Sequence, residues 1–141
     1  MNISISEEVC ARCPEAALGI LQYEAQVAPS SSALLELFEH TLQELSECHT
    51  LDSIAQIPHI AATRSAYKAL GKSPHEYRNA AEAMLRRIVK SNGLYHINNV
   101  VEINNLISVS SGYSIGSYDV SQLQGDVILA RAGEGVHYEG I

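Results

Sequence analysis

The sequence predicts an α+β fold, with helices through the middle and short strands at both ends. Three patterns carry that prediction. Ile3, Ile5 and Val9 alternate with other residues at the start, the period-two pattern of a half-buried strand. Leu34, Leu35, Phe38, Leu42 and Leu45 recur at steps of three and four, which places them on one helix face. Val127-Ile128-Leu129 follows Gly125 as a short apolar run, which reads as a strand.

In chain order, residues 2–9 form the opening strand. Residues 16–27 are mostly apolar, with Leu18, Ile20, Tyr23 and Val27. They predict a second, more buried strand that Pro29 ends. Ser30, Ser31 and Ser32 supply a helix start, and that helix should stop near Cys48 or His49. Residues 50–72 read as helical pieces, with Pro58 as a break and Gly71 as a stop. Ser73-Pro74-His75-Glu76 has the form of a capping box with proline at the first helical position. The helix behind it should bury Tyr77, Ala81, Met84, Leu85 and Ile88. Glu82 and Arg86 should pair on its outer side, and Asn92-Gly93 should end it. Residues 98–109 have an ambiguous period; their length and Asn98 as a cap favour a helix. No repeat, low-complexity segment or linker interrupts the chain, so residues 1–141 are expected to form one domain.

The 46% hydrophobic and 18% charged content is that of a globular chain rather than a disordered one. No uninterrupted apolar run reaches the ~18 residues of a membrane helix, and the start lacks the basic and apolar regions of a secretory signal. Three cysteines, an odd number, speak against a disulfide framework. These features predict a cytoplasmic protein that does not engage a membrane.

The net charge of −7 disfavours nucleic acid, but its distribution does not. Seven of the nine basic residues lie between Arg64 and Lys90, opposed there only by Glu76 and Glu82, so that stretch carries +5 and the remainder −12. Such a stretch can meet phosphates or simply be the wet side of two helices. Cys10 and Cys13 have CxxC spacing, but no second ligand pair follows for zinc. The helix near residue 31 lies too far away for a thioredoxin-type turn. The six histidines form no HxH or HExxH pattern, and no P-loop, GxGxxG or GxSxG is present. No metal and no cofactor is expected. The seven tyrosines do not form an RNP-type motif.

From Arg64 onward several ordered motifs accumulate. Arg64, Tyr67-Lys68, Gly71, Pro74 and Tyr77-Arg78 lead into Glu82-Ala83-Met84-Leu85-Arg86-Arg87. Asn98-Asn99-Val100-Val101-Glu102-Ile103-Asn104-Asn105 follows, then Gly112-Tyr113-Ser114-Ile115-Gly116-Ser117-Tyr118-Asp119, Gly125-Asp126-Val127-Ile128-Leu129 and Gly133-Glu134. This order, over about residues 60–141, resembles the free-standing B3/B4 proteins and the B3/B4 domain of bacterial phenylalanyl-tRNA synthetase β subunits.

The resemblance implies a B3/B4-like domain that handles tRNA or aminoacyl-tRNA. In the synthetases this domain is implied to hydrolyse tyrosine wrongly attached to phenylalanine tRNA. Here Gly116 stands where that family has a histidine, Ser114 where it has a proline, and Glu102 where it has an aspartate. Family members are expected to continue past the position of Ile141, so the C-terminal part of the fold is expected to be missing or supplied by another chain. An unfinished sheet edge of that kind favours a homo-oligomer.

Three functions therefore stand together: an editing-like hydrolase acting in trans, a non-catalytic binding module for an aminoacyl end, amino acid or nucleotide, and an interaction domain. The catalytic residues remain unknown. The candidate pocket residues are Asn98, Glu102, Asn105, Tyr118 and Asp119. Each has a plain alternative: Asn98 as a helix cap, Asp119 as a turn former, Glu102 as a solvated acid. The candidate phosphate contacts are Arg64, Lys68, Arg78, Arg86, Arg87 and Lys90. Arg64 and Arg78 can equally be structural partners of Glu82 or Glu102.

Overall fold

The computed structural model describes residues 1–136. Its first strand, β1 (Ile3–Ile5), is shorter than the alternation suggested. Ser6 accepts a hydrogen bond from the Val9 backbone and caps α1 (Glu7–Arg12), so Val9 is buried from a helix instead of a strand. Glu7 and Glu8 occupy the first turn, where carboxylates complement the helix dipole.

The strand expected at residues 16–27 does not form; among the described residues the stretch has no regular structure. A strand needs a neighbour for its backbone groups, and the two strands among the described residues pair with each other. Leu21 is left 90% exposed. The segment is secured at its far end, where Asn99 bonds Gln26 and Ala28.

The central helices follow the apolar pattern closely. Ser31 caps α2 (Ser32–Cys48), which buries Phe38 and Leu42 and ends with His49 as its C-cap. A 3-10 turn at Ile54–Gln56 buries Ile54 completely. Pro58 then opens α3 (Pro58–Ala69), a position where its missing N–H costs nothing. Gly71 follows with a positive φ of 76°.

The expected cap at Ser73 is corrected by the structure. Glu76 and Tyr77 donate backbone hydrogen bonds to the Ser73 carbonyl, closing an isolated turn. Helix α4 (Ala80–Val89) starts later, at Asn79, whose side chain accepts from the Glu82 backbone at 2.9 Å. Tyr77 consequently lies outside the buried stripe and is half exposed, whereas Ala81, Leu85 and Ile88 are buried as expected.

Asn98 caps α5 (Asn99–Ser111) through the Val101 backbone at 3.0 Å. Gly112 ends it with φ +78°, and a Cβ there would sit 2.9 Å from Ile57 Cγ2. Both the backbone and the space therefore require glycine.

Helices α2, α4 and α5 pack on one another. Their core joins Phe38, Leu42, Leu85, Ile88, Leu106 and Val109 with Ile54 and Ile60 from the preceding segment. β2 (Val127–Leu129) lies parallel to β1, with Ile3 opposite Val127 and Ile5 opposite Leu129. A parallel pair needs a long crossover; here the helical body provides it. Arg131 reaches Glu8 at 2.9 Å beside this pair. The last residues, Glu139-Gly140-Ile141, read in the sequence as a strand-like or turn segment and lie outside the described residues.

Candidate functional site

Asn99 is the anchor of one groove. Its Oδ1 accepts from Ala28 N at 3.0 Å and its Nδ2 donates to the Gln26 carbonyl at 3.0 Å. Its own backbone N–H donates to the Ala28 carbonyl. These bonds hold the irregular segment against the start of α5 and deliver Pro29 and Ser30 to one wall. α2 contributes Leu35 and Glu39, the loop before α5 contributes His96 and Ile97, and α5 contributes Glu102. Together they line an open groove of about 520 Å³.

Glu102 is 1% exposed and lies in the first turn of α5, where the helix dipole favours a negative charge. Its Oε1 lies 3.2 Å from His96 Nδ1 and accepts from Ile97 N at 3.2 Å. Its Oε2 has no hydrogen-bond partner among the described residues, and neither does the buried Ser30 Oγ. Unpaired buried acceptors of this kind cost roughly 1–3 kcal/mol, more when charged. His96 Nε2 lies 3.3 Å from Glu39 Oε1, so the imidazole stands between two carboxylates. Its ring packs against Phe38, with centroids 5.2 Å apart.

A second polar centre lies within the basic stretch. Glu82 is fully buried, not on the outer face of α4 as the sequence pattern suggested. Arg64 Nη1 reaches its two oxygens at 2.8 and 3.0 Å and Arg86 Nε reaches Oε1 at 2.9 Å. Arg78 stands at 4.0 Å. A single-helix pattern shows Glu82 only Arg86; Arg64 arrives from α3 and completes its burial. Nearby Tyr67 has its phenol pKa raised above 10.0, first by burial and then by the Glu82 charge.

The family model for the B3/4 domain matches residues 62–141. This chain belongs to the B3/4 domain family. No curated protein and no solved structure gives a match. The matched part of the B3/4 chain runs from within α3 onward and holds the Glu82 centre, His96, Glu102 and β2. Ser30, Leu35 and Glu39 precede it, so one wall of the groove comes from outside the matched part.

Of the five expected pocket residues, Glu102 lines the B3/4 groove. Asn98 caps α5 with its side-chain oxygen, and Asn105 is partly buried further along that helix. Tyr118 is 66% exposed and is not among the groove residues. A Cβ at Gly116 would lie 3.2 Å from its ring. Asp119 caps the 3-10 turn Val120–Gln122, accepting from Ser121 N at 2.9 Å and Ser121 Oγ at 2.7 Å. Those bonds lower its carboxyl pKa. Ser30, Glu39 and His96 were not foreseen. No motif links them, and only tertiary packing brings them together.

The six expected phosphate contacts divide in the same way. Arg64 and Arg86 engage Glu82, and Arg78 stands beside it. Lys68 and Lys90 are exposed. Arg87 lies over the ring of the exposed Tyr95 at 4.7 Å and donates to the Gly93 carbonyl at 3.2 Å. Cys10 and Cys13 are free, and no cluster of three metal-type side chains occurs among the described residues. No helix among them is long and apolar enough to cross a membrane.

Proposed function

We propose that this B3/4 chain is an RNA-binding module that receives the aminoacyl end of a charged tRNA, in the manner its resemblance to the synthetase β-subunit domain implies. The observation that carries the reading is the loop between α4 and α5. On its outer side Arg87 and the exposed Tyr95 stack, a pairing suited to a phosphate and a nucleobase. Next to Tyr95 in the chain, His96 and Ile97 line the groove with Glu102. A nucleotide held at Tyr95 would bring its attached group to the residues beside the groove. Lys68, Arg78 and Lys90 are exposed basic residues of the same stretch and are available to the rest of the backbone. The reading places the protein in the cytoplasm, where charged tRNA is made.

The acidic remainder of the chain favours a second reading, a small amine-binding domain without RNA. Titration of tRNA at rising salt separates the two. With about four phosphates neutralised, affinity should fall on the order of 100-fold between roughly 50 and 200 mM salt. Arg87→Glu with Lys90→Glu should weaken binding and flatten that slope. Binding that ignores both salt and these substitutions, or no binding, sinks the RNA reading.

A further inference from the structure

We propose that a second groove, between α2 and α5, is a docking site for a basic amphipathic helix of a partner protein, one whose apolar stripe is flanked by Lys or Arg. This groove shares no lining residue with the one that holds Glu102, so the proposal stands apart from the RNA reading.

The groove encloses about 440 Å³ and is lined by Leu37 and Thr41 from α2 and by Leu106, Ile107, Ser110 and Ser111 from α5. Leu37 is 56% exposed and Ile107 51%, and Ile103, one turn before Ile107, is 45% exposed. Three large aliphatic side chains therefore stand half in water on two neighbouring helices. Single exposed apolar residues are ordinary, but a cluster of them around a groove marks a surface for another element.

The hydroxyls of the lining do not call for a polar ligand. Thr41 Oγ1 donates to the Leu37 carbonyl at 2.8 Å, and Ser111 Oγ donates to the Ile107 carbonyl at 2.6 Å. Each hydroxyl is turned back on its own helix, so the side chain presents mainly carbon. An apolar occupant loses no hydrogen bond there, while a sugar or nucleobase would find few partners.

Charge selects the occupant. α2 carries four glutamates and no Lys or Arg. α5 has no basic residue either, and its one acid, Glu102, is buried. Glu44 lies three residues after Thr41 and continues the row that Leu37 and Thr41 begin. His40 stands 3.5 Å from it. Glu36, Glu44 and Glu47 are all exposed. A second copy docked through the same face would set these carboxylates against their equivalents, which like-charge repulsion opposes. The basic stretch of another copy fits no better: between Arg64 and Lys90 the one large apolar residue left exposed is Tyr77, so it offers no apolar stripe. The same acids repel RNA phosphates and anionic membranes. A helix with Leu or Ile at i, i+4 and i+7 and Lys or Arg beside them satisfies both the apolar rows and the charge.

The test is selection on the full chain from a phage-displayed library of helical peptides, with a fixed leucine stripe and Lys, Glu or Ser varied at the flanks. Selected peptides should carry Lys at most flanking positions, and their binding should weaken as salt rises. Leu37→Asp and Ile107→Asp should each weaken the best peptide by at least about tenfold, the scale of losing one central anchor. An added carboxylate would strengthen a merely electrostatic attraction, so a loss reports the apolar contact. Unchanged melting midpoints establish that the variants fold, and Leu37→Ser and Ile107→Ser take their place if they do not. Glu44→Lys with Glu47→Lys should weaken the same peptide. Failure to select any peptide, flanks without a preference for Lys, or binding that ignores the Leu37 and Ile107 substitutions overturns the proposal. Self-association of the free chain that Ile107→Asp abolishes overturns it too, and makes the face a contact between copies.

Discussion

Glu82 has no exposed surface, yet it ends a side chain that is ionised in water. Burying it alone would be costly, and two guanidinium groups within 3.0 Å offset that cost. Glu82→Ala should therefore destabilise the protein by about 3–5 kcal/mol, because Arg64 would be left charged and only 15% exposed. Arg78→Ala, at 4.0 Å and nearly half exposed, should cost less than about 1 kcal/mol. Urea unfolding midpoints of the two variants check the contrast. The same carboxylate leaves a pH signature through Tyr67. The folded phenol holds its proton above the ordinary value of 10.0, while the unfolded one titrates near it. Stability from this group is complete below pH 10.0 and is lost as pH rises from there through the folded pKa. Tyr67→Phe should flatten that alkaline decline, as read from thermal midpoints across the pH range. The Arg64–Glu82 pair stood in the sequence as one of several alternatives. The burial of Glu82 did not, because helical spacing describes one helix and the deciding guanidinium comes from another.

Element ends show the same contrast between local and distant causes. Asn98 was legible as the cap of its segment, and Ser31 as one of three consecutive serines that could start α2. The start of α4 was less legible. Ser73-Pro74-His75-Glu76 satisfies every local rule for a cap, but the chain closes one turn there and begins again at Asn79. Asn79→Ala should cost about 0.5–2 kcal/mol. Ser73→Ala should stay within about ±0.5 kcal/mol, since the Ser73 carbonyl makes the turn and survives the change. Equal effects of the two substitutions on the melting midpoint would restore Ser73 as the cap. At the other end of the core, Gly112→Ala should destabilise by about 1–3 kcal/mol, through its left-handed backbone and the clash with Ile57. The apolar residues of 16–27 misled for a related reason. Apolar content alone does not make a strand, and β1 pairs instead with β2, more than a hundred residues away.

Across the whole molecule, the α+β class, the central helices and the terminal strands were legible because they follow from periodicity within each segment. The groove was not. Ser30 and Glu102 are 72 positions apart, with Glu39 and His96 between them, and the four share no spacing rule; Asn99, by tying Gln26 and Ala28 to α5, brings the first wall to the last. The assembled groove also bears on catalysis. Ester hydrolysis develops negative charge on the carbonyl oxygen, and enzymes stabilise it with fixed donors. This groove presents the reverse: two carboxylates, an unpaired Glu102 oxygen and no Lys or Arg in its lining. The position where the resembling synthetase domain carries a histidine is Gly116, lying under the exposed ring of Tyr118 rather than in the groove. A carboxylate is a poor neighbour for an oxyanion, and a misplacement of about 1 Å can cost on the order of 100-fold in rate. Tyrosyl-tRNA and phenylalanyl-tRNA should therefore lose their amino acids no more than a fewfold faster with the protein present than without it. Gly116→His should not create the missing activity, because the new imidazole would face Tyr118. The deciding measurement is the deacylation rate of each charged tRNA with saturating protein. Rapid release that Glu102→Gln or Asp119→Asn abolishes would show that these acids serve a hydrolytic water, and that the negative groove is a catalytic centre after all.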